Sequence, residues 1–265
     1  MKKFLAAVLI LALTLTSLFA VGCSSQSDVE KVKNNGKLVV GVTDYAPFDY
    51  EEEGKWVGFD ADMARLVGEK LGVDVEFVEI DWNIKIAELK GNKVDLLWNA
   101  MTVTDELNKS LDFSVSYAEN CQVAVIRKGD AGKYTDLESL KNANVVAESG
   151  SAGQSVAEEK FGADKVTGVQ GQLKALMEVN ANTADVAVID YSMASCLCGT
   201  GDYKNLQMID DLRMSEEFFA VGARRGSDLI AVVNEVLKKA YSDGTMQKLR
   251  EQYGKESIVL CDLSK

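Results

Sequence analysis

Histidine is absent from the 265-residue sequence, and proline occurs once. Without histidine there is no serine–histidine or cysteine–histidine pair, which closes the commonest route to an activated nucleophile. Imidazole ligation of zinc is closed as well, and the lone Cys196-x-Cys198 pair is a weak metal signal. Neither a Gly-x-x-x-x-Gly-Lys phosphate loop nor a Gly-x-Gly-x-x-Gly stretch is present. The expectation is therefore no cofactor, no metal and no catalytic residue. Positive charge is scarce too: 29 lysines and arginines stand against 41 acidic residues, a formal charge of −12. That balance argues against a nucleic-acid partner and favours a soluble surface.

What is present is a hydrophobic share of 47%, enough for a real core. Much of it is spent early. "MKKFLAAVLILALTLTSLFAVGC" opens with two lysines and runs apolar from Phe4 to Val21. Small residues follow, then Cys23. This is the layout of an export signal rather than of a fold element. With the polar "SSQSD" beyond it, "AVGC" resembles a bacterial lipobox. The resemblance implies a signal peptide over 1–22, lipidation at Cys23, a linker over 23–28, and anchoring to the outer face of the cytoplasmic membrane. After export Cys121, Cys196, Cys198 and Cys261 are free to oxidise, but their spacing fixes no pairing. Small buried thiols, with at most one disulfide to Cys261, are expected.

From Lys37 short apolar runs alternate with helical ones. "KLVVGV" reads as a buried strand. "GFDADMARLVGEKLG" reads as a helix with Asp60 at its N-cap, and Phe59, Met63, Leu66, Val67 and Leu71 on one face. "VDVEFVEI", "NIKIAELKG" and "VDLLWNA" continue as strand, helix and strand, which means parallel pairing with helices on the faces. The pattern restarts after "CQVAVIRKGD", so two α/β units are expected, followed by two amphipathic helices. Apolar crossings at Val123–Arg127 and Phe219–Arg224 bracket the second unit, with hinge residues near Val125–Arg127 and Ala220–Gly222. Ligands of open α/β sheets sit beyond the carboxyl ends of the strands. The loops there carry Thr43, Asp44, Tyr45, Asp81, Trp82, Asn99, Thr102, Ser149, Ser151, Asp190 and Tyr191, and neither lysine nor arginine. Trp98 is expected in the core, and Ser149 in turn chemistry.

"KLVVGVTDYAPFDY", "WVGFDADMARLVGEKLGV", "MTVTDELNKSLDFSVSY", "ADVAVID" and "SDGTMQKLREQYG" occur in that order. They resemble the amino-acid-binding substrate-binding proteins of bacterial ABC transporters, from Val29 to Gly254. The resemblance implies a type II periplasmic-binding-protein-like α/β fold, each lobe a mainly parallel mixed sheet. Lobe 1 is expected over 29–125 plus 222–265, and lobe 2, inserted, over 126–221. It also implies an extracytoplasmic monomer that hands an amino acid or a derivative to a permease. Carried over residue by residue, Tyr45 and Trp82 cover the two faces of the ligand. Ala100 (backbone) and Thr102 (hydroxyl) contact its head group, with Asp44 and Asn99 beside them. Ser151 offers helix-start N–H groups to a carboxylate, and Asp190 receives the α-amino group.

Two positions depart from the pattern. Leu107 stands where the family places the arginine that grips the carboxylate, and Glu148 stands where some relatives are basic. A cleft without that guanidinium is expected to take a cationic ligand, or one whose carboxylate is absent, masked or weakly held. A cyclohexadienyl-dehydratase-like enzyme on the same fold, with Glu148 or Asp190 as its acid, and a ligand-presenting sensory module are the rival expectations.

Overall fold

The computed structural model describes residues 26–264. The expected signal segment and Cys23 lie outside the described residues. Two five-stranded sheets form the two lobes. In the first, strand Lys37–Val42 pairs in parallel with Asp74–Glu79 and with Leu96–Leu97. Leu96–Leu97 pairs antiparallel with Gly222–Arg224, which pairs with Leu111–Phe113. In the second, Val145–Glu148 pairs in parallel with Val166–Val169 and Val186–Asp190. Val186–Asp190 pairs antiparallel with Gln122–Arg127, which pairs with Leu206–Arg213. The central strands are apolar runs because helices cover both faces, so alternation is lost: all five residues of Val186–Asp190 are buried.

Helix Phe59–Leu71 follows the predicted apolar face and ends on Gly72 in the left-handed conformation. It packs so tightly on the sheet that a methyl at Gly68 would lie 2.5 Å from Val75 Cγ2. Asp60 is not its cap. Gly58 takes that position without a side-chain bond, and Asp60 is fully buried. Its carboxylate accepts from Ala100 N (2.7 Å) and the Tyr117 hydroxyl (2.7 Å). Phe48, edge-on to both Phe59 and Phe219, ties this helix to the returning chain.

The lobes are joined by strands Ala118–Asn120 and Glu217–Phe219, paired antiparallel, with Val259–Leu260 as a third strand beside the first. The crossing therefore lies nearer the start of the apolar run than expected. Val125–Arg127 sits inside the second sheet, paired with Ala187 and with Leu206–Met208. Gly222 sits inside the first, opposite Leu97 and Phe113. The boundaries expected at 125/126 and 221/222 fall within or beside these strands, because continuous burial hides the point where a strand leaves one sheet for another. The four cysteines of the described residues are unpaired.

Candidate functional site

The strand ends of both sheets meet at one cavity. It is lined by all ten residues predicted for ligand contact: Asp44, Tyr45, Trp82, Asn99, Ala100, Thr102, Leu107, Glu148, Ser151 and Asp190. Their roles differ from the expectations in several cases. Asn99 is a brace. Its Oδ1 accepts from Thr43 N (3.1 Å) and Thr43 Oγ1 (2.6 Å), and its Nδ2 donates to Thr43 O (3.1 Å) and Asp49 Oδ2 (2.9 Å). The Ala100 N–H is committed to Asp60, and Ala100 takes a φ of 47° to make that turn. The Thr102 hydroxyl donates to Glu217 Oε2 at 2.9 Å. Asp44 stays exposed at the lip of the cleft.

Tyr45, expected as a flat cover, is 3% exposed and reaches across to the other lobe. Its hydroxyl donates to Asp190 Oδ2 (2.9 Å) and lies 2.7 Å from Ser192 Oγ. Asp190 is the centre of the floor. Besides Tyr45 it accepts from Asn120 Nδ2 (2.6 Å), Gln122 Nε2 (2.5 Å) and Gln172 Nε2. Asn120 and Gln122 also donate to Glu217 Oε2, at 3.1 and 3.0 Å. Burial, and then the charge of Glu217, push Asp190 up to about 6 against the pull of these donors. Glu148, 5% exposed, is pushed up to about 8, chiefly by burial and then by Asp190.

Asn120, Gln122, Gln172 and Glu217 were not foreseen. Three of them are polar residues interrupting the apolar crossings "YAENCQVAV" and "SEEFFAV", and that interruption was the available signal. Lys85 corrects a sharper expectation, that the cleft holds no basic side chain. It lines the cavity at 6% exposure. Its ammonium donates to Trp82 O (3.1 Å) and, across the cleft, to Gly150 O (2.7 Å). It also lies 5.0 Å from the centre of the Trp82 ring. Burial pulls it down to about 8, with Glu148 and then Asp81 opposing. Trp82 itself starts a short turn capped by Asp81, whose carboxylate accepts from Asn83 N at 3.0 Å.

Opposite Lys85, Ser151 caps helix Ala152–Phe161 through Gln154 N (3.0 Å), and Ala152 and Gly153 form part of the cavity wall. Leu107, in the short helix Asp105–Asn108, has its N–H capped by Thr104 Oγ1 (3.2 Å). Its side chain packs against the apolar cluster that contains Trp82, Met101 and Leu111. The lobes approach closely at the rim: a methyl on Gly150, whose φ is 73°, would lie 2.9 Å from Asn83 Cα.

The model of the bacterial extracellular solute-binding proteins, family 3, matches residues 38–256. Arginine-binding extracellular protein ArtP of Bacillus subtilis (strain 168) is 31% identical over 259 residues, which cover 96% of this chain and 98% of that one. Among solved structures, an amino acid ABC transporter substrate-binding protein from Streptococcus pneumoniae, bound to L-arginine, superposes with a TM-score of 0.79 at 32% identity. That match covers 89% of this chain and all of the other. The ancestral amino acid-binding protein AncCDT-1, a precursor of cyclohexadienyl dehydratase, also gives a TM-score of 0.79, at 30% identity, covering 86% of this chain and 99% of that one.

Proposed function

This chain belongs to the bacterial extracellular solute-binding proteins of family 3, and from that premise we propose which solute it takes and how it is held at the cell. The ligand is an amino acid or amino-acid derivative bearing a positive group, captured between the lobes and handed unchanged to an ABC permease. One observation carries this reading: the cavity is lined by three carboxylates, Asp44, Glu148 and Asp190, against a single lysine. Buried carboxylates whose pKa is raised by lost hydration regain stability when a cation arrives. The ligand's ammonium is read as exchanging with one of the protein donors on Asp190, with Trp82 covering one side. The similarity to a protein named for arginine and to one solved with L-arginine bound agrees with this choice.

A thermal-shift screen of amino acids, amines and their amides tests the ligand class. A ligand at 100-fold excess over Kd adds about 2.7 kcal/mol, roughly 5–10 °C of shift for a chain of this length. Stabilisation by acidic solutes alone would overturn the reading. Mass spectrometry of the bound fraction tests whether the protein binds or converts: one equivalent of unchanged compound is expected, and a dehydrated product would instead favour the dehydratase-like enzyme. The chain acts as a monomer anchored through Cys23. Cys23→Ala is expected to shift the protein from the membrane to the soluble fraction or leave it unprocessed, and full membrane retention would refute the anchor. A pull-down that recovers a receptor kinase rather than permease subunits would favour the sensory role.

A further inference from the structure

We propose that Lys85 is the specificity-determining cation of the cleft: its ammonium, with the first-turn N–H groups of helix Ala152–Phe161, holds the carboxylate of an amino-acid ligand. It thereby replaces the guanidinium that Leu107 has removed. The inference rests on the binding role proposed above and deepens it, since it returns a free carboxylate to the ligand.

Lys85 stands where packing alone would not put a charge. In helix Lys85–Lys90 the two buried residues are Lys85 and Leu89, one turn apart. On periodicity position 85 is thus a core-facing position, where an apolar residue would serve packing better. A lysine held there at 6% exposure gives up its hydration. An ammonium has three N–H donors. Two are used on the carbonyls of Trp82 and Gly150, and Lys85 forms no ion pair among the described residues. A buried cation with carbonyl partners only, beside a cavity, is completed by an anion.

The opposite lobe faces Lys85 with the start of a helix. Gly150, which accepts its bond, immediately precedes the cap of helix Ala152–Phe161. The first turn of that helix has no acidic residue. Ten residues long, the helix directs its positive end at the same part of the cavity wall. Ammonium and helix start therefore converge from opposite lobes, while Asp190 takes the other pole of an amino acid. Glu148 is the group that could cancel Lys85. Burial lifts its carboxyl to about 8, which weakens its claim on the lysine, and neither it nor Asp81, the other carboxylate whose charge supports Lys85, forms an ion pair with the ammonium among the described residues.

The test is calorimetry on the mature chain and on Lys85→Met and Lys85→Arg, against the common L-amino acids and their decarboxylated amines. In the unmodified chain an amino acid is expected to bind at least about tenfold more tightly than its own amine, about 1.4 kcal/mol. Lys85→Met should erase that ratio, losing affinity for the amino acid while the amine binds within about twofold, which also shows that the variant folds. Lys85→Arg should restore most of the preference. An unchanged ratio in Lys85→Met, including equal weakening of both compounds, would mean that Lys85 only ties the Trp82 and Gly150 carbonyls and would overturn the inference. Binding of amines alone would overturn it too, yet leave the proposed cationic ligand standing. Binding of neither class would overturn both. Should Lys85→Met not fold, the same ratio read on Lys85→Gln decides.

Discussion

The two lobes are built to one plan and equipped differently. Each sheet sets three parallel strands beside one antiparallel strand, with a fifth beyond it that runs parallel to the trio, and in each the middle of the parallel trio supplies a loop to the cleft. At the third strand of the trio the first lobe presents Asn99 and the second presents Asp190. Asn99 spends its amide on Thr43 and Asp49 of its own lobe. Asp190 collects donors from its own lobe, from the crossing strand and from Tyr45 opposite. Equivalent strand ends thus divide the labour. One ties its own lobe together, and the other gathers donors from both lobes around a buried carboxylate.

Exchanging roles should therefore be costly in different currencies. Asp190→Asn is expected to weaken binding of a cationic ligand by about a hundredfold or more, since a truncated buried charge pair costs about 2–5 kcal/mol. Calorimetry measures it. Asn99→Ala should change affinity little but lower unfolding stability by about 1–3 kcal/mol, because buried Asp49 loses its hydrogen-bond donor. Chemical denaturation measures that loss. If Asn99→Ala weakened binding as much as Asp190→Asn, the division between the lobes would fail.

Gly150→Ala tests the meeting of the lobes. The added methyl would strike the Asn83 backbone, and a φ of 73° strains any L side chain. Affinity should fall about tenfold, with a larger radius of gyration at saturating ligand than in the unmodified chain. Equal scattering profiles would count against closure at this rim.

The broadest effect is that of pH on the ligand-free protein. Asp190 and Glu148 are raised from 3.8 and 4.5 to about 6 and about 8, so between those limits the folded state binds more protons than the unfolded. Their contribution is full below about pH 4 and is lost as pH rises through 6 and then 8. Lys85, lowered from 10.5 to about 8, works the other way, adding stability between about pH 8 and 10.5. A melting midpoint that falls from pH 5 to 8 and then recovers toward pH 10 is expected. A midpoint rising over pH 5–8 would show that the second lobe's carboxylates are not desolvated.

The sequence made it readable that the ten predicted residues would share one cavity, because strand ends follow from apolar runs and ligands of open α/β sheets sit in the loops beyond them. It did not make the wiring readable. A lysine in "NIKIAELKG" reads as part of a solvated face, and only the turn at Trp82–Ile84 aims it inward. Asp60 has the spacing of a cap, yet Ala100 and Tyr117, distant in sequence, claim it. The floor under Asp190 joins Asn120, Gln122, Gln172 and Tyr45 from three separate stretches, and no local pattern predicts their convergence. The crossing strands were placed a few residues late because apolar burial runs through them without a break.

The route of the chain through the two sheets also sets an order of birth. Every strand of the second lobe's sheet lies between residues 122 and 213, so that sheet can be completed as soon as this stretch is available. The first sheet waits for Gly222–Arg224, which must enter between Leu96–Leu97 and Leu111–Phe113. A chain emerging from its N-terminus therefore holds a half-built first lobe, with an unfilled slot in its middle, while the second lobe is already able to fold as a unit. The lobe that starts first finishes last, and its open sheet edges are where misassembly during emergence would begin.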